Sequence, residues 1–524
     1  MKIKRFRQGT AEHQGWLFPP TLADWVPEDH PVHTWSALVD SLDLQPFYAA
    51  YANPKGRPPY DPAVMVKILV YGYARGLQSA RQLERACYED LGFRILTGNQ
   101  QPDFWTIAAF RRRHQAALAH LLVETVKLAA AAGLVRLRDV AVDGTKVQAA
   151  ASKHRAMSYE RMEAEEARLE AAIEEYLAEM EATDHAEDQA HGRRGRGWTV
   201  REDLAHAEKR LATIRAAKAR LEAEAAAKAA AKPPRSSDGA PTAPGPAAAP
   251  AAERPPAADP APPPAAEVGA PPTAGAPPTA TPAASEPVPA PAAGSPPGVP
   301  APASPAPSTA PAAAPEPAVR PPAKAQVNFT DPDSRIMRHS DKAFIQGYNA
   351  QAVVDVDSQI IVAADLTPQA ADAPHLPALL EQLRANTGRT PRGLLADAGY
   401  YSEANLTACT RAGVEPFIPP ERQPHRAWRA QPPPRGRIPK HCTGKDRMRR
   451  KLRTQAGRAR YQKRQASIEP VFGYLKTVQR CRQLTVRGLE KARAWWRLEC
   501  AVFNLNKLVR HLGTVERVRA LARA

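Results

Sequence analysis

Apolar residues recur three and four apart over most of the first 135 positions. Pro62 stands ahead of Val64, Ile68 and Leu69, Ser79 ahead of Leu83 and Ala86, and Thr106 ahead of a stripe of Ile107, Phe110, Leu118, Leu121 and Leu122. That spacing predicts a helical N-terminal region, 1–134, whose helices each bury one face. The pattern changes over Val135–Val147, where Val140-Ala-Val142 reads as a short buried strand. Gly144 then predicts a tight backbone exit beside Asp143. Helical spacing returns within 156–232. Leu169, Ile173, Tyr176, Leu177 and Met180 form one stripe, and Leu204, Leu211, Ile214 and Leu221 form another. The glycine-rich break at 192–197 joins them as an antiparallel two-helix hairpin.

From 233 to 324 the chain is nearly all Pro, Ala, Gly, Ser and Thr, with 31 of the 55 prolines. Such a segment buries too little apolar surface to offset chain entropy, so a disordered linker is expected. Strand patterning resumes at Phe344–Asp355 and Gln359–Asp365, with a turn at Asp357-Ser358. A helix over 375–386, a short strand ending at Asp397, a helix capped by Ser402 and a strand at 415–418 follow. The expected fold is α/β: a mixed sheet, RNase H-like, with flanking helices, built from 135–155 and 325–480. The C-terminal helices, 481–524, carry Trp495 and Trp496 and are expected to pack on the sheet.

The net charge is +18, which points to an anionic partner. Much of the excess lies in 421–460, with 14 Lys and Arg against two acids, which reads as a nucleic-acid contact. Five scattered cysteines form no CxxC pair, so no zinc ribbon or disulfide framework is legible; His425, His441 and Cys442 are too few for a metal site. Sparse cysteine fits a cytoplasmic location. No signal-peptide core and no membrane-length apolar run occur.

Three acids carry the candidate chemistry. Asp143 closes Asp139-Val-Ala-Val-Asp143-Gly-Thr, Asp397 closes Gly393-Leu-Leu-Ala-Asp397-Ala-Gly, and Glu469 lies in Tyr461-Gln-Lys-Arg464-Gln-Ala-Ser-Ile-Glu469-Pro. Two strand-end aspartates and a helix glutamate supply the oxygen ligands that Mg²⁺ prefers. Asp139, Asp355, Asp365 and Asp372 are rivals, Asp365 foremost because it too ends a strand.

These segments, with Pro102–Arg111, Asn328–Met337 and Ile345–Gln351, resemble the DDE transposases of bacterial insertion sequences, in the branch with a helical insertion after the first aspartate. The resemblance implies cleavage at element ends and strand transfer into target double-stranded DNA. It implies catalysis and metal binding by Asp143, Asp397 and Glu469, with two Mg²⁺ or Mn²⁺ ions. It implies DNA contacts by Tyr461, Arg464 and Lys476, and a DNA-end-binding or dimerisation role for 1–134, with a homo-oligomer on DNA. Four residues separate Arg464 from Glu469 where the family pattern has three, so Lys463 and Arg460 are alternatives for that arginine. An RNase H-like nuclease without strand transfer and a non-catalytic DNA-binding relic remain open alternatives.

Overall fold

The computed structural model describes residues 21–51, 58–191, 202–230, 320–339, 343–422, 432–437 and 441–523. Its N-terminal helices start where side chains can satisfy the free amides of a first turn. The Asp61 carboxylate accepts from Ala63 N at 2.8 Å to open Pro62–Ala74, and Ser79 and Gln82 form a reciprocal capping box for Ala80–Glu89. The third start is Asp103, not Thr106: its carboxylate accepts from Thr106 N at 2.6 Å. The apolar stripe beyond it is two helices, Phe104–Arg113 and Gln115–Ala131, because the chain breaks at His114. That imidazole is buried against Phe47 and Phe110 and bonds Tyr51 Oη at 3.2 Å.

The sheet is built from β1 (Asp139–Gln148), β4 (Arg335–Arg338), β5 (Phe344–Asp355), β6 (Ile361–Thr367), β7 (Gly393–Ala396) and β8 (Glu415–Phe417). Its order is β4-β5-β1-β7-β8, and β6 also pairs with β5. β1 runs antiparallel to β5, and β5 to β6, whereas β7 is parallel to both β1 and β8. Val140, Val142, Val353, Val354, Ile361 and Leu394 are fully buried within it. The N-terminal helices share this core.

The helix Leu489–Leu512 packs against β6 and the Gln115–Ala131 helix, and Trp495 and Trp496 are core residues as expected. Trp496 is 1% exposed and its indole N–H donates to the Gln351 carbonyl at 2.9 Å. A burial of that size stabilises by about 4 kcal/mol before entropy is counted.

The insertion begins with β2 (Ala156–Ser158) paired to β3 (Gln326–Asn328), a small sheet the sequence pattern did not show. The hairpin helices are Tyr159–His191 and Glu202–Ala230, with a small core of their own around Tyr159, Met162, Ile214 and Leu221. The linker reading falls almost wholly outside the described residues. Its last five positions are described, and Arg320 there pairs with Glu163 at 2.7 Å, so the end of that segment is tied to the hairpin. Among the described residues no helix is long and apolar enough to cross a membrane.

Candidate active site

The parallel ladder between β1 and β7 ends at the pair Val142 and Ala396. The next residue on each strand is Asp143 and Asp397. Two carboxylates more than 250 positions apart in sequence thereby stand side by side on neighbouring strands. Asp397 closes its strand as expected and caps the following turn, accepting from Gly399 N at 2.9 Å. Asp143 does not close its strand. β1 continues to Gln148 against β5, so Gly144 is a strand residue rather than a turn. The physical reason for a glycine is crowding: a Cβ there would lie 2.4 Å from Gln351 Nε2 and 2.7 Å from Asp372 Oδ1.

Burial pushes the Asp143 carboxyl up to about 6; Arg464 opposes that rise and Asp397 adds to it. Arg464 Nη1 donates to Asp143 Oδ2 at 3.0 Å, from a helix, Gln455–Thr477, packed on β1. Tyr461, one turn earlier, is half-buried beside the same pair, and burial raises its phenol. Lys476 lies at the far end of that helix, where burial and then Arg482 lower its ammonium.

Glu469 is exposed and its carboxylate accepts from Gln465 Nε2 at 3.2 Å. No hydrogen bond or ion pair among the described residues joins it to either aspartate. At 100° per residue it stands about 140° around the helix from Arg464. Ile468, Val471 and Leu475 are buried and set that rotation. Pro470 leaves the Ala466 carbonyl without its helical donor, and Gln359 Nε2 supplies one at 3.3 Å.

The other acids divide cleanly. Asp355 is consumed by backbone, accepting from the amides of Arg136, Leu137, Asp357 and Ser358. Asp139 pairs with Arg460, which also reaches Glu415 at 2.6 Å, so Arg460 does not replace Arg464 at the acids. Lys463 is exposed. Asp365 pairs with Arg493 and Arg497 at 3.4 and 3.3 Å. Asp372 alone turns towards the pair. Its Oδ2 and Asp397 Oδ1 lie 3.4 and 3.0 Å from the point a Cβ on Gly399 would occupy. Asn349 and Gln351 amides hold its Oδ1 at 2.7 and 2.8 Å, and Lys146 Nζ stands 3.6 Å away. Tyr400 donates to Gln351 Oε1 beneath them.

Lys146, Asn349, Gln351 and Tyr400 were not read from the sequence. The signal was register: Gly144 opposes Gln351 and Lys146 opposes Asn349, so these residues share one face of the sheet.

Among the described residues no group of three or more His, Cys, Asp and Glu is placed to hold a metal ion, Cys442 and His441 included. Asp143 and Asp397 nonetheless fit a hard cation. They are adjacent oxygen donors, and the burial of Asp143 and its repulsion by Asp397 are what a cation offsets.

Residues 20–113 match the family profile described as Transposase domain (DUF772), and residues 322–505 match Transposase DDE domain. The chain belongs to the DDE transposases of insertion sequences. No curated protein and no solved structure matches it. In this transposase the DDE match spans Asp397 and Glu469, while Asp143 precedes it across the insertion. Among the described residues of the basic segment before Glu469, Gly444–Arg453 is a helix, and Glu421 binds Lys445 at 3.0 Å and also Arg449. Several of its cations are thus already paired within the protein.

Proposed function

We propose that this transposase cuts DNA at the ends of its element and joins the freed 3′-hydroxyl to target DNA at the same site. The observation that carries the reading is the pairing of Asp143 with Asp397 at the end of the β1–β7 ladder. Strand order and direction support an RNase H-like catalytic domain: three antiparallel strands, β6-β5-β1, followed by β7 and β8 parallel to β1. In such sheets sites form beyond the carboxyl ends of parallel strands. The domain is made of 135–155 and 325–480, with 1–134 binding DNA ends or a second copy.

Asp143 and Asp397 hold the cations, two Mg²⁺ or Mn²⁺, and Glu469 is the third ligand once its side chain turns inward from the helix that carries Arg464. When bound, such ions polarise the scissile phosphate and lower the pKa of attacking water. Arg464 neutralises Asp143 in their absence and is placed to contact a phosphate when the cations arrive. Tyr461 shapes the same cleft, and Lys476 contacts the DNA backbone. A second reading has Asp372 as the third carboxylate, favoured by its position against Gly399.

The test is Mg²⁺-dependent cleavage and strand transfer of duplexes bearing the element's ends. Asp143→Ala and Asp397→Ala each abolish both steps and keep DNA binding; retained cleavage in either refutes the assignment. Glu469→Gln against Asp372→Asn separates the two third-ligand readings. Cleavage without joined products leaves a nuclease only.

A further inference from the structure

Two cavities meet on the N-terminal side of the transposase. One, of 390 Å³, lies between the helices Phe104–Arg113 and Gln115–Ala131 and the helix Leu489–Leu512. The other, of 980 Å³, lies between the end of β1 and the base of the hairpin. Ala150 and Arg487 line both, and Arg487 Nε donates to the Ala150 carbonyl at 3.2 Å, so the two cavities adjoin across that contact and are taken together as one groove. Its cations are Arg111, Arg112, Lys153, Arg155, Arg487 and Lys491, and no acidic residue lines either cavity.

Among the described residues no carboxylate pairs with Arg112, Lys153, Arg155, Arg487 or Lys491, whereas Arg460 and Arg464 on the active-site helix both have acidic partners. Arg111 is fixed in place, donating to Tyr73 Oη at 3.0 Å and to the Gln78 carbonyl at 3.2 Å. Trp495 supplies an independent observation. It lines the smaller cavity, is 5% exposed, and its indole N–H meets no acceptor among the described residues. A buried donor without a partner beside a set of unpaired cations is what an anionic oxygen would satisfy.

We propose that this groove is a second DNA site, which holds backbone phosphates of the duplex being cut, with one phosphate oxygen on the Trp495 N–H. The proposal rests on the reading of the active site given above. β1 connects the two places. From Asp143 to Gln148 is five residues, about 17 Å of strand, close to half of a duplex turn of roughly 34 Å. A duplex whose scissile phosphate lies at Asp143 presents its backbone again at that distance. Contacts to backbone phosphates position the duplex and do not by themselves choose its sequence.

The experiment uses the full chain and a fluorescein-labelled random-sequence duplex of about 40 base pairs, long enough for some four helical turns. Binding is followed by anisotropy across a KCl series. In the Arg112→Ala/Lys491→Ala double variant the slope of log K against log salt falls by about 1.8, near 0.9 for each phosphate no longer neutralised. A slope equal to wild type overturns the proposal. So does an equal fall in Arg85→Ala/Lys127→Ala, a control that removes two exposed cations elsewhere. Trp495→Phe keeps an aromatic ring and loses the N–H; affinity falls several-fold, and unchanged affinity overturns the indole contact. Displacement of the duplex by micromolar mononucleotide, lost in the double variant, would make the groove a small-anion site and overturn the DNA assignment. Mg²⁺-dependent nicking of a duplex bearing the element's ends is scored in parallel. Intact nicking with an unchanged slope defeats the groove alone, and absent nicking with a reduced slope defeats the nuclease reading alone.

Discussion

Glu499 has no place in the proposed chemistry, yet it is a costly group in the core. It is 0% exposed on the helix Leu489–Leu512, and no cation among the described residues pairs with it. Its oxygens accept from Gln78 Nε2 and Gln479 Nε2, both at 2.8 Å. Burial raises its carboxyl from 4.5 to about 7, and these hydrogen bonds only partly oppose the rise. The folded protein therefore holds a proton that the unfolded chain releases near 4.5. Stability from this group is complete below that pH, falls as pH rises towards about 7, and is then constant. The full loss is on the order of 3 kcal/mol at 1.36 kcal/mol per pKa unit. Glu499→Gln has no titration and nearly the same volume. Its amide N–H groups also find acceptors, since Gln78 Oε1 and Gln479 Oε1 are buried without partners among the described residues. Urea unfolding of both proteins at pH 5 and pH 8 measures the effect. The variant is more stable at pH 8 by up to about 3 kcal/mol, and the difference shrinks towards pH 5. A variant less stable than wild type at pH 8, or a difference independent of pH, refutes this account of the buried acid.

Gly144→Ala forces a Cβ to within 2.4 Å of Gln351 Nε2 and 2.7 Å of Asp372 Oδ1. Thermal unfolding shows a loss of about 1–3 kcal/mol, and cleavage falls more than stability because the displaced groups adjoin Asp143. Arg464→Gln removes the cation that opposes the rise of Asp143, so in the metal-free protein the Asp143 carboxyl titrates at higher pH, followed by carboxyl NMR. An unmoved titration would show that the arginine does not act on Asp143.

The elements that local chemistry controls were legible in the sequence. Pro62 and Ser79 begin helices, Ser402 caps one through Asn405 N, and Phe344–Asp355 is a strand over its whole expected length. Each depends on residues close together in the chain. What was not legible depends on pairing across the chain. The strand pair Ala156–Ser158 and Gln326–Asn328 is separated by the whole insertion, and neither segment carries an alternating pattern long enough to show. The Asp372 cluster is hidden for the same reason. Its partners Lys146, Asn349 and Gln351 come together only through the register of β1 on β5.

The two acids of the ladder and the acid of the helix differ in the same way. A strand's parity and its register fix where a side chain points, so Val142 opposite Ala396 is sufficient to bring Asp143 to Asp397. A helix residue is placed by rotation, and the rotation of Gln455–Thr477 is set by Ile468, Val471, Phe472 and Leu475 in the core and by Arg464 on Asp143. Those contacts leave Glu469 on the exposed side. Bringing it inward by turning the helix would uncover Ile468, at a cost of about 2 kcal/mol for a fully buried aliphatic side chain, and would also break the Arg464 pair. Rotation of the glutamate side chain alone carries neither cost and gives up only its bond to Gln465. On the reading in which Glu469 is the third ligand, the side chain and not the helix would have to supply that movement.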